Sequence, residues 1–206
     1  MRLEAEGAVS RQGVSSQLVT EAAARLIVQD TERARAELWD ACCGRGGKTA
    51  ALLEKGVRVV LSSDPAQFRV DELKRTVQRL GLPEPRVVCA REQDVEVSFP
   101  LILLDVPCSG TGTLGRVPEL RPEKLEEAEN LQSAILEDAW GKLQSGGMLF
   151  YVTCALNRRE NEGQIERFLH AHGAGNGGDA SLVEQRLFLP ELPGHDALFF
   201  AVLRKM

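Results

Sequence analysis

Apolar and polar positions divide the chain into two alternating kinds of segment. Short apolar runs lie at residues 36–41 (AELWDA), 57–63 (VRVVLSS), 86–90 (RVVCA), 101–106 (LILLDV) and 147–153 (GMLFYVT). Each has the length of a buried strand rather than a helix. Residues 47–55, 66–80, 122–143 and 160–170 show helical spacing instead. The segment 122–143 opens with Pro122 and two acids near its first turn, and it should end before Ser145-Gly146-Gly147. Residues 15–30 form an amphipathic helix ahead of the first strand, and GAGNGG at 173–178 is a loop. After it, SLVEQRLFL and ALFFAVLRK have the pattern of two strands pairing as an antiparallel edge. Strand–helix alternation of this kind predicts a mostly parallel sheet covered on both faces. No internal repeat or second domain is evident, so residues 1–30 are expected as a helical lead-in and 31–206 as one α/β domain.

Composition narrows the class. The chain has 206 residues, 43% hydrophobic and 27% charged, enough for a sizeable core. No stretch approaches the roughly 20 apolar residues of a membrane span, and the start, MRLEAEGAVSRQG, has no apolar export segment. A cytoplasmic monomer without membrane contact is expected. The net charge of −5 argues against strong, sequence-independent nucleic-acid binding by this chain alone. Two small basic clusters, Arg116/Arg121/Lys124 and Arg158/Arg159, fit solvated faces as well as a binding role. Five scattered cysteines, Cys42, Cys43, Cys89, Cys108 and Cys154, suggest neither a disulfide framework nor a metal site. Cys89 suits a small buried hydrophobe. Cys108 and Cys154 stand in turn-like contexts at the ends of apolar runs, where burial explains them less well.

Ligands of such sheets bind at the carboxyl ends of the strands, and there the unusual residues collect: Asp40 to Lys48, Asp64, Asp105 to Gly112, and Thr153-Cys154. The loop Asp40-Ala41-Cys42-Cys43-Gly44-Arg45-Gly46-Gly47-Lys48-Thr49 passes from strand to helix. Its glycines admit close backbone approach, so a phosphate or an amino-acid-like carboxylate could dock there. Gly47-Lys48-Thr49 with Leu101 to Asp105 imitates the two motifs of a P-loop NTPase, but that spacing needs glycine where this chain has Cys42. Asp64, ending the second strand, suits a pair of ribose hydroxyls or, equally, a helix N-cap before Pro65.

The decisive segments are Leu104-Asp105-Val106-Pro107-Cys108-Ser109-Gly110-Thr111-Gly112 and Phe150-Tyr151-Val152-Thr153-Cys154, which put two thiols at adjacent strand ends. With the 40–49 loop, this resembles the Sun/RsmB family of RNA cytosine-5 methyltransferases, whose loops read approximately D-A-C-A-A-P-G-G-K-T, D-A-P-C-S-G-T-G and Y-x-T-C-S. Arg116 to Arg121, Leu131-Gln132 and Asp196 to Ala201 also match in order.

The resemblance implies a Rossmann-like class I methyltransferase: a seven-stranded, mostly parallel sheet with helices on both faces and an antiparallel last strand. It implies S-adenosylmethionine as cofactor, held by Cys42, Cys43, Gly44, Arg45, Gly46, Gly47, Lys48, Asp64 and Asp105, with adenine met by Glu92 or Asp94. It assigns Cys154 as nucleophile toward cytosine C6, Cys108 to the release step and Asp105 to the base edge. RNA, with ribosomal RNA as the family default, becomes the expected substrate, with Arg116 and Arg121 as candidate RNA contacts. An RNA-recognition region upstream or a partner subunit is expected to complete binding. A non-catalytic module that binds cofactor or RNA with the same fold is the alternative.

Overall fold

In the computed structural model the described residues are 12–114, 125–189 and 196–206. Helix α1 (Val14–Val28) precedes strand β1 (Glu37–Asp40), and α2 (Gly47–Glu54) leads to β2 (Arg58–Ser63). Then follow α3 (Gln67–Leu80), β3 (Arg86–Val88), β4 (Phe99–Asp105), α4 (Leu125–Gly141) and β5 (Leu143–Thr153). The chain finishes with α5 (Glu162–His172), β6 (Ala180–Phe188) and β7 (Leu198–Lys205). The seven strands lie in the order β3-β2-β1-β4-β5-β7-β6. Only β7 is reversed: it slots between β5 and β6 and pairs antiparallel with both. The expected class I methyltransferase sheet is what this chain forms.

Alternation along the strands explains why helices cover both faces. In β4, Leu101 and Leu103 point to one side and Ile102 and Leu104 to the other. The first side joins Phe150 and Phe200 to Val19, Leu52 and Leu73 from α1, α2 and α3. The opposite side joins Trp39, Tyr151 and Phe199 to Ile135, Trp140 and Phe168 from α4 and α5. Strands buried on both faces read as continuous apolar runs, which is how they stood out in the sequence.

Three details depart from expectation. β5 begins at Leu143, before the apolar run, because Ser145-Gly146-Gly147 is a bulge inside the strand rather than a turn ahead of it: Phe99 pairs with Leu143 but Leu101 with Met148. Gly146 there adopts a φ of +79°, and a side chain on Gly147 would sit 2.7 Å from the Pro100 carbonyl oxygen. Cys89 is exposed rather than buried, since β3 is the sheet edge and ends one residue earlier; its thiol donates to the Pro65 carbonyl at 3.3 Å. Residues 173–178 contain a short 3₁₀ turn, Ala174–Asn176. Among the described residues, no helix is long and apolar enough to cross a membrane.

Candidate active site

The strand ends that carry the unusual residues converge on the carboxyl edge of the sheet. Leaving β1, the loop is stitched to both neighbours: Ala41 N–H donates to the Leu103 carbonyl and Cys43 N–H to that of Ser63, each at 2.9 Å. Gly46, with a φ of +85°, turns the chain into α2 directly against Leu73, where an added Cβ would lie 2.1 Å from Cδ1. The preceding segment braces the loop, as Gln12 Nε2 donates to the Gly47 carbonyl at 3.3 Å.

Asp40 lies fully buried at the end of β1. Thr49 Oγ1 donates to its Oδ2 at 2.5 Å, while Oδ1 has no hydrogen-bond partner. Burial pushes this carboxyl up to about 7, against the Thr49 bond that favours its charge; the neighbouring charge of Asp105 raises it further and Lys48 opposes. Lys48, in the first turn of α2, reaches Asp105 Oδ2 at 2.7 Å. Burial works to discharge this ammonium, but the adjacent Asp105 carboxylate outweighs it and the lysine ends above its ordinary value.

The two thiols meet because β4 and β5 are parallel neighbours in a register that pairs Asp105 with Val152. Cys108, three residues past Asp105, and Cys154, two past Val152, place their sulfurs 3.1 Å apart; both are free and half-buried. The Cys154 N–H also donates to Cys108 Sγ at 3.3 Å. Hydrogen bonding from Cys108 draws Cys154 below the ordinary thiol value, against burial and the Asp105 charge and with help from Lys48. Cys108 moves the other way, through its bond to Cys154 and its own burial. The first proton lost by the pair therefore leaves the charge on Cys154.

Beside the thiols opens a cavity of about 560 Å³, within the range of small-molecule sites. Cys42, Gly44, Asp64, Glu92 and Asp105 contribute its polar lining, and Pro65, Leu131 and Ile135 an apolar wall. Asp64 is buried and already accepts three bonds, from Gly44 N–H (3.2 Å), Ala66 N–H (2.8 Å) and Arg69 Nη1 (3.3 Å). A carboxylate has about four acceptor positions, so a second ribose hydroxyl would have to displace Arg69. The residue tightens the turn two positions before the N-cap of α3, which is Ala66. Glu92 faces the cavity and accepts the Cys42 S–H at 3.2 Å, and burial raises its carboxyl. Asp94 turns back to the Arg91 N–H at 3.2 Å and lines a separate hollow, so of the two acids Glu92 alone is placed toward the cavity.

Not every expected loop residue points inward. The Cys43 side chain joins the core between the sheet and α1–α3, and Arg45 extends outward to Glu72 at 3.2 Å. Arg116 and Arg121 lie outside the described residues. No group of residues that could hold a metal occurs among those described.

Several site residues escaped the sequence reading. Asn161 accepts the Thr153 hydroxyl at 2.6 Å and donates to the Ala155 carbonyl at 2.9 Å, pinning the peptide on both sides of Cys154. Glu160, fully buried, grips the loops of both cysteines through Ser109 and Asn157. The only signal was a run of polar residues just after the second thiol, which has the composition of a solvated surface.

Comparison with known proteins settles the kinship. The family model of the 16S rRNA methyltransferases RsmB/F matches residues 25–204. The chain belongs to this family. Its RsmB/F relatives include the ribosomal RNA small subunit methyltransferase B of Yersinia enterocolitica, 36% identical over 185 residues, 82% of this chain and 42% of that protein. The Yersinia pseudotuberculosis protein of the same description is 36% identical over 182 residues, again covering 82% and 42%. The chain thus spans about two-fifths of the length of these RsmB/F proteins. Two solved structures share the fold. NSun6 from Pyrococcus horikoshii, solved with SFG, superposes over 100% of this chain and 55% of its own with a TM-score of 0.82 at 22% identity. A methyltransferase homologue from the same organism covers 100% and 71% with a TM-score of 0.81 at 24% identity.

Proposed function

We propose that this chain is the catalytic domain of an S-adenosylmethionine-dependent methyltransferase that forms 5-methylcytosine in ribosomal RNA, with Cys154 as nucleophile. The observation that carries the reading is the pair of sulfurs 3.1 Å apart, beside the Lys48–Asp105 ion pair and the cavity. Family membership supports the reaction class, and the names of the Yersinia relatives support the substrate class.

The residues fit the cofactor. Asp64 keeps one acceptor position for a ribose hydroxyl, Glu92 and the wall of Leu131 and Ile135 would flank a purine, and Lys48 and Asp105 offer both charges for an amino acid moiety. S-adenosylmethionine, when bound, supplies an electrophilic methyl group.

Cytosine C5 is too weak a nucleophile to take that methyl unaided. Addition of the Cys154 thiolate to C6 makes the ring an enamine whose C5 can accept it, replacing one hard step by easier ones. The target base must leave its stack to reach the thiol. Asp105, with one oxygen held by Lys48, keeps the other for the N3–N4 edge of the base. Loss of the C5 proton then breaks the C6–S bond, and Cys108 stands next to the departing sulfur, placed to assist release. RNA affinity beyond this site would come from a further region or a partner, consistent with a net charge of −5, and from Arg116 and Arg121.

The test is transfer of labelled methyl to ribosomal RNA. Cys154→Ala should abolish transfer, and Cys108→Ala should accumulate a denaturation-resistant protein–RNA adduct. Full activity in Cys154→Ala would overturn the nucleophile assignment. Binding of S-adenosylmethionine without any transfer to RNA would favour a non-catalytic module.

A further inference from the structure

The bonds around the two thiols converge on a carboxylate that the reaction does not use. Glu160 sits in the turn between β5 and α5, with no exposed surface. It accepts from Ser109 N–H at 2.7 Å, from the Ser109 hydroxyl, from Gln132 Nε2 at 2.8 Å and from Asn157 Nδ2. Ser109 is the residue after Cys108, Asn157 belongs to the loop after Cys154, and Gln132 lies on α4. Four donors fill the acceptor capacity of an ionised carboxylate. The backbone of Glu160 is held as well: its N–H donates to Asn157 Oδ1 at 3.0 Å, and its carbonyl accepts the buried Tyr151 hydroxyl at 2.9 Å.

An isolated buried charge is costly, and it persists only when its donors are fixed in place. Here three of those donors come from the two segments whose spacing decides how the sulfurs meet, and the fourth, Gln132, comes from α4. We propose that Glu160 is a positioning residue for the two-thiol chemistry, clamping the Cys108 loop to the Cys154 loop so that the sulfurs stay within hydrogen-bond reach. This deepens the proposed function and rests on it for its catalytic meaning, although the clamp itself can be tested without RNA or cofactor.

Glu160→Gln is nearly isosteric, but it replaces an acceptor by an amide donor facing other donors, so at least one grip must release. Cys108 then loses its alignment on Cys154. Cys154 also faces Lys48, Asp105 and Asp196, and the side-chain bonds of Glu160 go to none of these, so a change in the variant reports the thiol pair. The experiment is iodoacetamide alkylation of Cys154 across pH on the intact chain, followed by peptide mass spectrometry.

The wild type should alkylate with a midpoint below that of a free cysteine, about 8.5. Glu160→Gln should move the midpoint upward by on the order of one pH unit, in the same direction as Cys108→Ala. Ser109→Ala, which removes only one donor and keeps the backbone bond, should give a smaller shift of the same sign and covers the case in which Glu160→Gln fails to fold. A folded Glu160→Gln with the wild-type profile overturns the proposal, as does a Ser109→Ala profile unchanged when Glu160→Gln cannot be made. Methyl transfer surviving in Cys154→Ala would instead overturn the function and leave the clamp standing.

Discussion

Asp40→Asn separates the electrostatic cost of the site from its packing. In the folded chain burial pushes the Asp40 carboxyl from 3.8 to about 7. Each pH unit of that window is worth about 1.4 kcal/mol, so the whole window amounts to about 4 kcal/mol. The group is raised in the folded state, and its stabilising influence is therefore complete below 3.8, where it is protonated folded or unfolded. That influence fades as pH climbs and is lost above about 7, where folding must bury the charge.

Asparagine keeps the shape and can still accept the Thr49 hydroxyl, but it never ionises. The stability difference between variant and wild type should therefore widen in favour of the variant, by about 2–3 kcal/mol between about pH 5 and about pH 8. Any constant penalty for placing an amide nitrogen where Oδ1 lacks a partner cancels in this comparison. Urea unfolding at the two pH values measures it, with equal m-values as the check that the unfolded states match. A pH-independent difference, or one that narrows toward alkaline pH, would refute the account of Asp40 as a charge held at a cost.

Three glycines offer further tests. Gly46→Ala forces a side chain into left-handed backbone and onto the buried Leu73, so it should lose about 2–5 kcal/mol in unfolding and weaken cofactor binding by calorimetry. Gly44→Ala, with a φ of +52° and open space around the new atom, should cost only the backbone strain of about 1–2 kcal/mol. Gly112→Ala would put a Cβ 2.5 Å from the Ala197 carbonyl oxygen and 2.8 Å from that of Cys154, both backbone atoms that must move. Since Gly112 does not line the cavity, kcat for methyl transfer should fall at least tenfold with cofactor affinity nearly intact; an equal loss of both would show a general unfolding of the edge.

Much of this was legible because local rules and tertiary structure agree. Runs such as Leu101 to Leu104 are apolar on both faces, as interior strands are, and glycine-rich loops had to fall at strand ends. What escaped depends on directions that composition does not encode. Glu92 and Asp94 differ by two positions in a 3₁₀ turn, and only the turn decides that one faces the cavity and the other its own backbone. Cys42 and Cys43 part in the same way, one toward the cavity and one into the core. Glu160 follows two exposed arginines and has their surface character until the loops of Cys108 and Cys154 close over it.

The placement of β7 carries a consequence for how the molecule comes to exist. This strand is made after every other strand, yet it occupies an interior slot, with Phe199 to Leu203 fully or almost fully buried between β5 and β6. Until it arrives, those two strands have only an open gap between them, and such distant pairings form slowly. Just ahead of β7, Ala197 N–H donates to the Gly112 carbonyl, and Gly112 N–H in turn donates to that of Cys154. The peptide that carries Cys154 is thus fastened by the segment leading into β7, the last of the seven strands in chain order. During synthesis, the Cys154 peptide therefore gains this fastening only once translation has passed β7.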